Sequence, residues 1–284
     1  MAKEPRWDIV ILPKSSFWSY SWGELWRYRE LCGLFVKRNI TTHYIQTLLG
    51  PLWYVVQPLM IALMYTLVFG YIAKLSTDGI PQPLFYLCGI CFWQYFSDTL
   101  HQISTTFINN AYLFGKVYFP RVIIPISTAF SNLIRFGFQF GVFVLVYLFY
   151  GCFTDVVVKP NIYCLLFPLL ILLLLGISLG IGVFVAAFTT KYRDMHFFLA
   201  FFLNLWMFGT PIIYPLSMVS NPTLKFLMQL NPLTGIIEFA KYGLLSQGCH
   251  EWWMLLYSGV FAMVILYFSF LIFNQAQKAC VDTI

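Results

Sequence analysis

Long uncharged stretches are the feature of this sequence that most restricts its fold. Residues 39–73 contain no Asp, Glu, Lys or Arg. Only 10% of the 284 residues are charged, whereas a soluble domain carries about 25%. Hydrophobic residues make up 60% of the chain and the mean hydropathy is +0.76. This composition excludes a water-soluble globule and a disordered chain, and it predicts helices that cross a membrane.

The number of crossings follows from the lengths of the apolar stretches. A membrane span needs about 20 mostly apolar residues, and six stretches meet that requirement. We therefore predict an all-α polytopic membrane protein with a six-span domain over residues 47–284. The predicted spans are residues 52–73, 84–107, 122–150, 162–188, 196–214 and 252–273.

Residues 1–20 are predicted to form an N-terminal extension. Two further regions outside the spans are predicted to be helical without crossing the membrane. Residues 21–46 place apolar side chains at three- and four-residue spacing opposite a charged face, which predicts an amphipathic helix in the membrane interface. A solvated helix packed on a neighbour is the alternative. Between spans five and six, residues 222–230 and 233–246 are each too short to cross and are interpreted as two short re-entrant or interfacial helices on the outer side.

The distribution of Lys and Arg predicts the orientation. The two termini and the loops 108–121 and 189–195 hold 12 of the 17 Lys and Arg residues, and the alternate loops hold 4. Because basic residues concentrate on the cytoplasmic side, both termini are predicted to be cytoplasmic. The basic residues form no concentrated patch, so no nucleic-acid partner is expected.

Asp98 and Arg135 are the charged residues inside predicted spans. Each costs a few kcal/mol at mid-helix unless a partner or water is present. At 1.5 Å per residue, Asp98 lies about 14 Å and Arg135 about 20 Å from the inner ends of their spans. We expect the two side chains to lie close together or to share a water-filled cavity. A wet cytoplasmic vestibule around Asp98 is the alternative.

Motifs for chemistry are missing from the sequence. It contains no phosphate-binding P-loop, no H-E-x-x-H zinc motif, no nucleophile elbow and no paired loop carboxylates. Cys88 and Cys91 have the spacing of a redox or metal pair, but they lie in an apolar run without a second pair. We interpret them as small buried hydrophobic residues. The sequence thus favours a protein that is not an enzyme and that holds no metal.

Several segments together resemble a known family. The chain is similar, from about residue 25 to residue 273, to transmembrane permease subunits of type-2 ABC transporters that export polysaccharides such as O-antigen, capsule and teichoic acid. The resemblance rests on the order and spacing of short segments: Thr47–Trp53 followed by Gln57 and Pro58, Tyr65–Gly70, Lys116–Pro120, Tyr192–Asp194, Thr210–Tyr214, and Asn231 with Pro232.

The resemblance implies a function and partners. Such subunits form homodimers with two copies of a separate ATP-binding subunit, which holds the ATP and magnesium, so no cofactor is expected on this chain. They move a polyprenyl-diphosphate-linked glycan across the bacterial inner membrane, in contact with membrane lipids. Three alternatives remain open: a type-2 permease for drugs or small lipids, a membrane transferase acting on lipid-linked sugars, and a structural scaffold.

The resemblance also implies site residues. Those expected to couple the chain to the ATPase are Asn109, Asn110, Leu113, Lys116, Tyr118, Phe119, Arg193 and Asp194. Basic residues at the cytoplasmic entrance complement a diphosphate; they are Arg27, Arg29, Lys37 and Arg38. The outer gate is expected at Pro222, Asn231 and Pro232.

Aromatic residues make up 20% of the chain, more than membrane-interface belts require. They are densest in the second span. A glycan pathway would use such rings, since sugars stack their C–H faces on them, and plain helix packing is the alternative. The residues concerned are Phe92, Trp93, Tyr95 and Phe96.

Overall fold

The computed structural model describes residues 22–44, 48–116, 119–153, 159–192, 194–246, 248 and 250–281. This part of the chain is mainly helical and contains no strand, and the predicted N-terminal extension, residues 1–20, lies outside it. The helices are α1 Trp22–Arg27, α2 Arg29–Tyr44, α3 Trp53–Tyr65, α4 Gln82–Ser104, α5 Thr106–Asn109, α6 Ala111–Lys116, α7 Ile123–Phe153, α8 Phe167–Thr189, α9 Met195–Phe208, α10 Pro222–Gln229, α11 Pro232–Leu245 and α12 Trp252–Val281.

Four helical stretches in the described residues are long and apolar enough to cross a membrane. They are Gly50–Ile72, Ile123–Phe153, Ile162–Thr189 and Trp252–Phe273. The first contains α3, which Thr66–Ile72 extends as a wider π-helix. These stretches agree closely with four of the six predicted spans. The other two predicted spans correspond to α4, which is largely buried and carries polar residues, and to α9, which is shorter.

α4 is the central helix of the bundle. It packs against α3, α7, α8, α9 and α11, and every residue from Leu84 to Phe96 is buried. Its 23 residues are enough to cross a bilayer, but its inner half carries polar residues such as Gln94, Asp98 and Gln102. Neighbouring helices contact α4 on several sides, which lowers the cost of placing these polar side chains within a membrane.

α9 is shorter than predicted. The fifth span was expected to continue to Tyr214, but the helix ends at Phe208, and the residues after it are not helical. Gly209 follows the helix, and Pro211 cannot donate a backbone hydrogen bond to continue it. Thr210 and Ile212 beyond the helix end are fully buried. The break is therefore covered by protein, which is the condition under which irregular backbone is tolerated at membrane depth.

Glycines allow close packing in the most extensive helix contact of the described bundle, between α8 and α12. Gly176 and Gly180 form a small-x-x-x-small pair on α8, and a Cβ on Gly180 would lie 2.7 Å from Cγ2 of Ile265. Ser269 Oγ donates a 2.6 Å hydrogen bond to the Gly180 carbonyl across the same contact. Small residues of this kind let helix backbones approach in lipid, where van der Waals packing rather than hydrophobic transfer drives association.

The N-terminal region forms two helices instead of one. The chain turns at Tyr28, between α1 and α2, and α2 packs against α7. Phe35 is buried in this contact, whereas Trp26, predicted on the apolar face, is 70% exposed. An exposed Trp26 is compatible with the predicted apolar face in the membrane interface. The packing of α2 on α7 agrees with the alternative of a helix docked on a neighbour.

Candidate functional site

The two intramembrane charges meet. Arg135 Nη1 on α7 lies 3.0 Å from Asp98 Oδ2 on α4, with the two side chains 17% and 34% exposed. Arg135 Nη2 also donates a 3.2 Å hydrogen bond to Gln57 Oε1 on α3, and the guanidinium carbon is 4.7 Å from the centre of the Tyr54 ring. This cluster links α3, α4 and α7, and mutual neutralisation lowers the cost of placing both charges within the bilayer.

A polar cavity of about 280 Å³ lies beside this cluster, between α3, α4 and α9. Its polar lining comes from Gln57, Gln94, Ser97, Asp98 and Asn204. The sequence reasoning missed Gln94 and Asn204 because it considered only charged residues within spans. An amide side chain in an otherwise apolar span was the signal that would have found them.

The aromatic residues predicted to line a pathway are in the protein core instead. Phe92 and Phe96 are fully buried, and Tyr95 is nearly so. Phe92 packs edge-on against Phe136 at 5.4 Å, and Phe96 packs edge-on against Trp206 at 5.2 Å. Edge-to-face contacts of this kind are favourable packing geometry. Helix packing therefore accounts for these rings, and of the four only Trp93 borders the polar cavity.

A second polar cavity lies towards the predicted cytoplasmic side. It has a volume of about 450 Å³ and lies between α2, α4, α5 and α7. Among the residues that the structure describes, Arg38 is its only lining cation, no Asp or Glu lines it, and Asn109 and Asn110 contribute amides. Arg38 Nη2 lies 3.5 Å from Asn110 Oδ1. The cavity thus combines one cation with amide and hydroxyl donors, a lining suited to an anion.

The other predicted entrance residues lie elsewhere. Arg27 and Lys37 are exposed. Arg29 is exposed too and sits 5.3 Å from the centre of the Trp26 ring. None of the three lines the cytoplasmic cavity. The structure therefore separates Arg38 from the three other basic residues of the predicted set.

The predicted coupling residues divide into exposed and buried groups. Asn109, Lys116 and Asp194 are exposed. Phe119 is buried between Phe35 at 5.7 Å and Phe114 at 5.9 Å, so its ring fixes the segment to α2 and is not free to meet a partner. Leu113 and Asn110 are half-buried. Tyr118 and Arg193 lie outside the described residues.

The two short helices after α9 begin at Asn-Pro pairs, as their sequence suggests. Asn221 and Asn231 cap α10 and α11 by accepting backbone hydrogen bonds, with Pro222 and Pro232 in the first turns. Asn231 Nδ2 also donates a 2.8 Å hydrogen bond to Thr210 Oγ1, which joins the start of α11 to the break after α9. Almost every residue of α11 is buried.

α11 carries a buried ion pair. Lys241 is 1% exposed, and its Nζ lies 3.6 Å from Glu238 Oε1 and 3.8 Å from the centre of the Phe85 ring. Lys241 Nζ also donates a hydrogen bond to the Pro211 carbonyl. Burial lowers the pKa of the Lys241 ammonium, and Glu238 opposes that shift. Lys241 thereby joins α11, the N-terminal half of α4 and the segment after α9.

Cys88 and Cys91 are free and buried, which fits their interpretation as small hydrophobic residues. In the part of the chain that the structure describes, no group of three or more His, Cys, Asp or Glu residues is placed to hold a metal ion.

Comparison with known proteins identifies the family. A family model described as ABC-2 type transporter matches residues 30–245. The chain belongs to the ABC-2 type transporter membrane family. This ABC-2 permease is 26% identical over 216 residues to the O-antigen export system permease protein RfbA of Myxococcus xanthus, covering 75% of this chain and 80% of that protein. It is 25% identical over 253 residues to a protein of the same name from Klebsiella pneumoniae, covering 87% of this chain and 92% of that protein.

Family membership confirms three predictions. The chain is a permease subunit and not an enzyme, it is a multi-pass membrane protein, and it implies a partner subunit that binds ATP. The cavities, the ion pairs and the capped helices described above are therefore features of an ABC-2 permease.

Proposed function

We propose that this chain is the transmembrane subunit of an ATP-driven exporter that moves a polyprenyl-diphosphate-linked polysaccharide, such as an O-antigen or capsule, across the bacterial inner membrane. The observation that carries the proposal is the similarity over 87% of this chain to a protein named as an O-antigen export permease. Two copies of the chain would pair with two copies of a separate ATP-binding subunit. ATP and magnesium would be bound by that subunit.

Six crossings fit the helix dimensions. α4 has 23 residues, or about 35 Å at 1.5 Å per residue, against about 30 Å of hydrocarbon. α9 has 14 residues, or about 21 Å, and the buried segment that follows it covers the remaining depth. Four apolar helices together with α4 and α9 make six spans. With the basic residues distributed 12 to 4 between the two sets of loops, both termini lie in the cytoplasm.

The cytoplasmic cavity is the proposed site for the diphosphate of the lipid carrier. Of the four basic residues considered, Arg38 is the one that lines this cavity, and among the described residues no carboxylate lines it. A guanidinium binds phosphate oxygens through paired hydrogen bonds. The adjacent exposed residues Asn109, Lys116 and Asp194 are the proposed contacts to the ATP-binding subunit, and the capped helices α10 and α11 form the proposed outer gate.

Gene deletion and complementation test this function. Deletion should abolish surface polysaccharide and trap lipid-linked glycan inside the cell, and the intact chain should restore export. In the same strain, Arg38→Gln should lower export about tenfold or more, the loss expected from a charge-assisted hydrogen bond. Arg27→Gln is the matched control, because Arg27 is exposed and lies outside the cavity; it should export normally.

Two results would contradict the proposal. Normal surface polysaccharide after deletion, in a strain without a second copy, would exclude export of this substrate. Equal export by the Arg38 and Arg27 variants would exclude Arg38 as the diphosphate contact while leaving the export function intact.

A further inference from the structure

The polar cavity between α3, α4 and α9 lies near the middle of the proposed membrane domain. Gln94 is ten residues from the inner end of α4 and Asn204 is nine residues from the start of α9. At 1.5 Å per residue, both are about 14 Å deep, close to the midplane of a hydrocarbon core about 30 Å thick. Two helices that run in opposite directions thus bring amide side chains to the same depth.

The polar groups of this cavity are incompatible with contact to acyl chains. Asn204 is exposed on a helix whose neighbouring side chains are Phe and Leu. An amide left without hydrogen-bond partners in hydrocarbon costs about 1–3 kcal/mol, so Asn204 and the cavity beside it must face water or a polar ligand.

The size and lining of the cavity define the ligand class. A volume of about 280 Å³ is just below the range of about 300–1,000 Å³ for sites that hold drug-sized molecules, so it admits a small ligand. Gln57, Gln94 and Asn204 supply amide donors and acceptors. Trp93 borders the cavity with part of an otherwise buried ring, which is an apolar contact for C–H groups. Adjacent hydroxyls together with a C–H face are the chemistry of a pyranose.

We propose that this cavity is a binding subsite for a single sugar unit of the glycan in transit. The proposal rests on the export function above and locates the pathway-facing side of the subunit on the α3–α4–α9 surface. Sugar hydroxyls hydrogen-bond to the amide groups of Asn204 and Gln57, and the Gln94 side chain borders the site. The ion pair with Arg135 at the edge of the cavity holds the Asp98 carboxylate in place. The lining therefore keeps its shape after one sugar unit has left and before the next one binds.

Cysteine accessibility tests the subsite. A cysteine-free chain that still exports is prepared first, because the native protein has seven cysteines. Asn204→Cys and Ser97→Cys are then exposed to a trimethylammonium methanethiosulfonate reagent in membranes open on both sides. Met263→Cys on α12 is the matched control, since Met263 is exposed but apolar and outside the cavity. The two cavity cysteines should react and the control should not, because the reagent requires a thiol in water.

Protection by substrate identifies the ligand. The labelling is compared between membranes from cells that make the lipid-linked glycan and cells in which its synthesis is blocked, with a hydrolysis-deficient partner ATPase to hold the glycan in the complex. Glycan should protect Asn204→Cys and Ser97→Cys. Labelling without protection, or no labelling at either position, would overturn the subsite. Export that continues after gene deletion would instead overturn the proposed function, so the two failures are distinguishable.

Export measurements provide a second readout that does not depend on a reagent. Asn204→Leu should lower export about fivefold, the equilibrium factor of one hydrogen bond, with normal membrane abundance and normal copurification of the ATPase. Asn204→Gln, which keeps the amide, should recover most of the loss. Wild-type export by Asn204→Leu would overturn the proposal.

Discussion

α4 and α9 are both rich in aromatic residues, but their rings have opposite environments. In α4, Phe92 and Phe96 are fully buried between neighbouring helices, whereas in α9 Phe197 is 73% and Phe201 is 62% exposed. α4 is enclosed by five helices, whereas α9 packs mainly on α4 and α8. Aromatic density therefore does not reveal whether a ring packs, faces lipid or lines a pathway. The arrangement of neighbours decides it.

The two helices are connected at three levels. Lys241 joins the N-terminal half of α4 to the segment after α9, the Phe96 ring packs on Trp206, and the polar cavity lies between the helices. Substitutions at these three places should differ in how much they lower stability. The Lys241 ammonium is fully buried, whereas the ion pair of Asp98 and Arg135 at the cavity edge is partly exposed to water.

The largest effect is expected from Lys241→Met. This change leaves Glu238 buried without its cation and removes the donor to the Pro211 carbonyl, and breaking a buried pair in this way costs about 3–5 kcal/mol. Thermal unfolding of the purified complex in detergent measures the loss. The double variant Lys241→Met with Glu238→Gln should recover much of it. A double variant no more stable than the single one would show that the packing around Lys241, and not the ion pair, dominates.

A smaller effect is expected from Phe96→Ala on α4. Within a membrane, the loss of stability comes from missing van der Waals contacts and not from a change in transfer from water. A cavity of about 100 Å³ costs about 2 kcal/mol at roughly 24 cal/mol per Å³. Phe201→Ala on α9 is the matched control and should change stability by less than about 0.5 kcal/mol. Thermal unfolding measures both variants. Equal destabilisation would contradict the expected difference between a ring buried in α4 and a ring exposed on α9.

The smallest of the three effects is expected at the ion pair on the side of α4 that faces the cavity. Asp98→Asn should cost about 1–2 kcal/mol, between the values for exposed and for buried pairs, because both side chains are partly exposed. Exchanging the two residues, Asp98→Arg with Arg135→Asp, should restore part of the export lost by either single change. No rescue in a surface-polysaccharide assay would show that the orientation relative to Gln57 matters more than the pairing itself.

Much of the architecture could be predicted from the sequence because lipid imposes simple rules. The bounds of four apolar spans, the helices that begin at Pro222 and Pro232, and the meeting of Asp98 with Arg135 all follow from hydropathy, capping preference and the cost of an isolated charge. The end of α9 was predicted six residues too late, because an apolar run can continue after the helix has stopped. The N-terminal helix was predicted as one helix, whereas the chain turns at Tyr28 between α1 and α2.

The candidate sites could be predicted less well. Four basic residues near the entrance are equivalent in sequence, yet Arg38 alone lines the cytoplasmic cavity. Phe119 was expected at a partner surface and is buried beside Phe35 instead. Gln94 and Asn204 are far apart in the chain and are brought to one cavity only by the packing of α9 on α4.

The sequence by itself determined that this chain is a membrane protein, which way it is expected to face and which charged residues require partners, because each of these properties depends on how single residues partition between water and lipid. Only the tertiary structure decided which aromatic rings pack in the core, which cation lines a cavity and which amides line a common cavity. Those outcomes depend on contacts between helices, and the hydropathy of one segment carries no information about the surface of another.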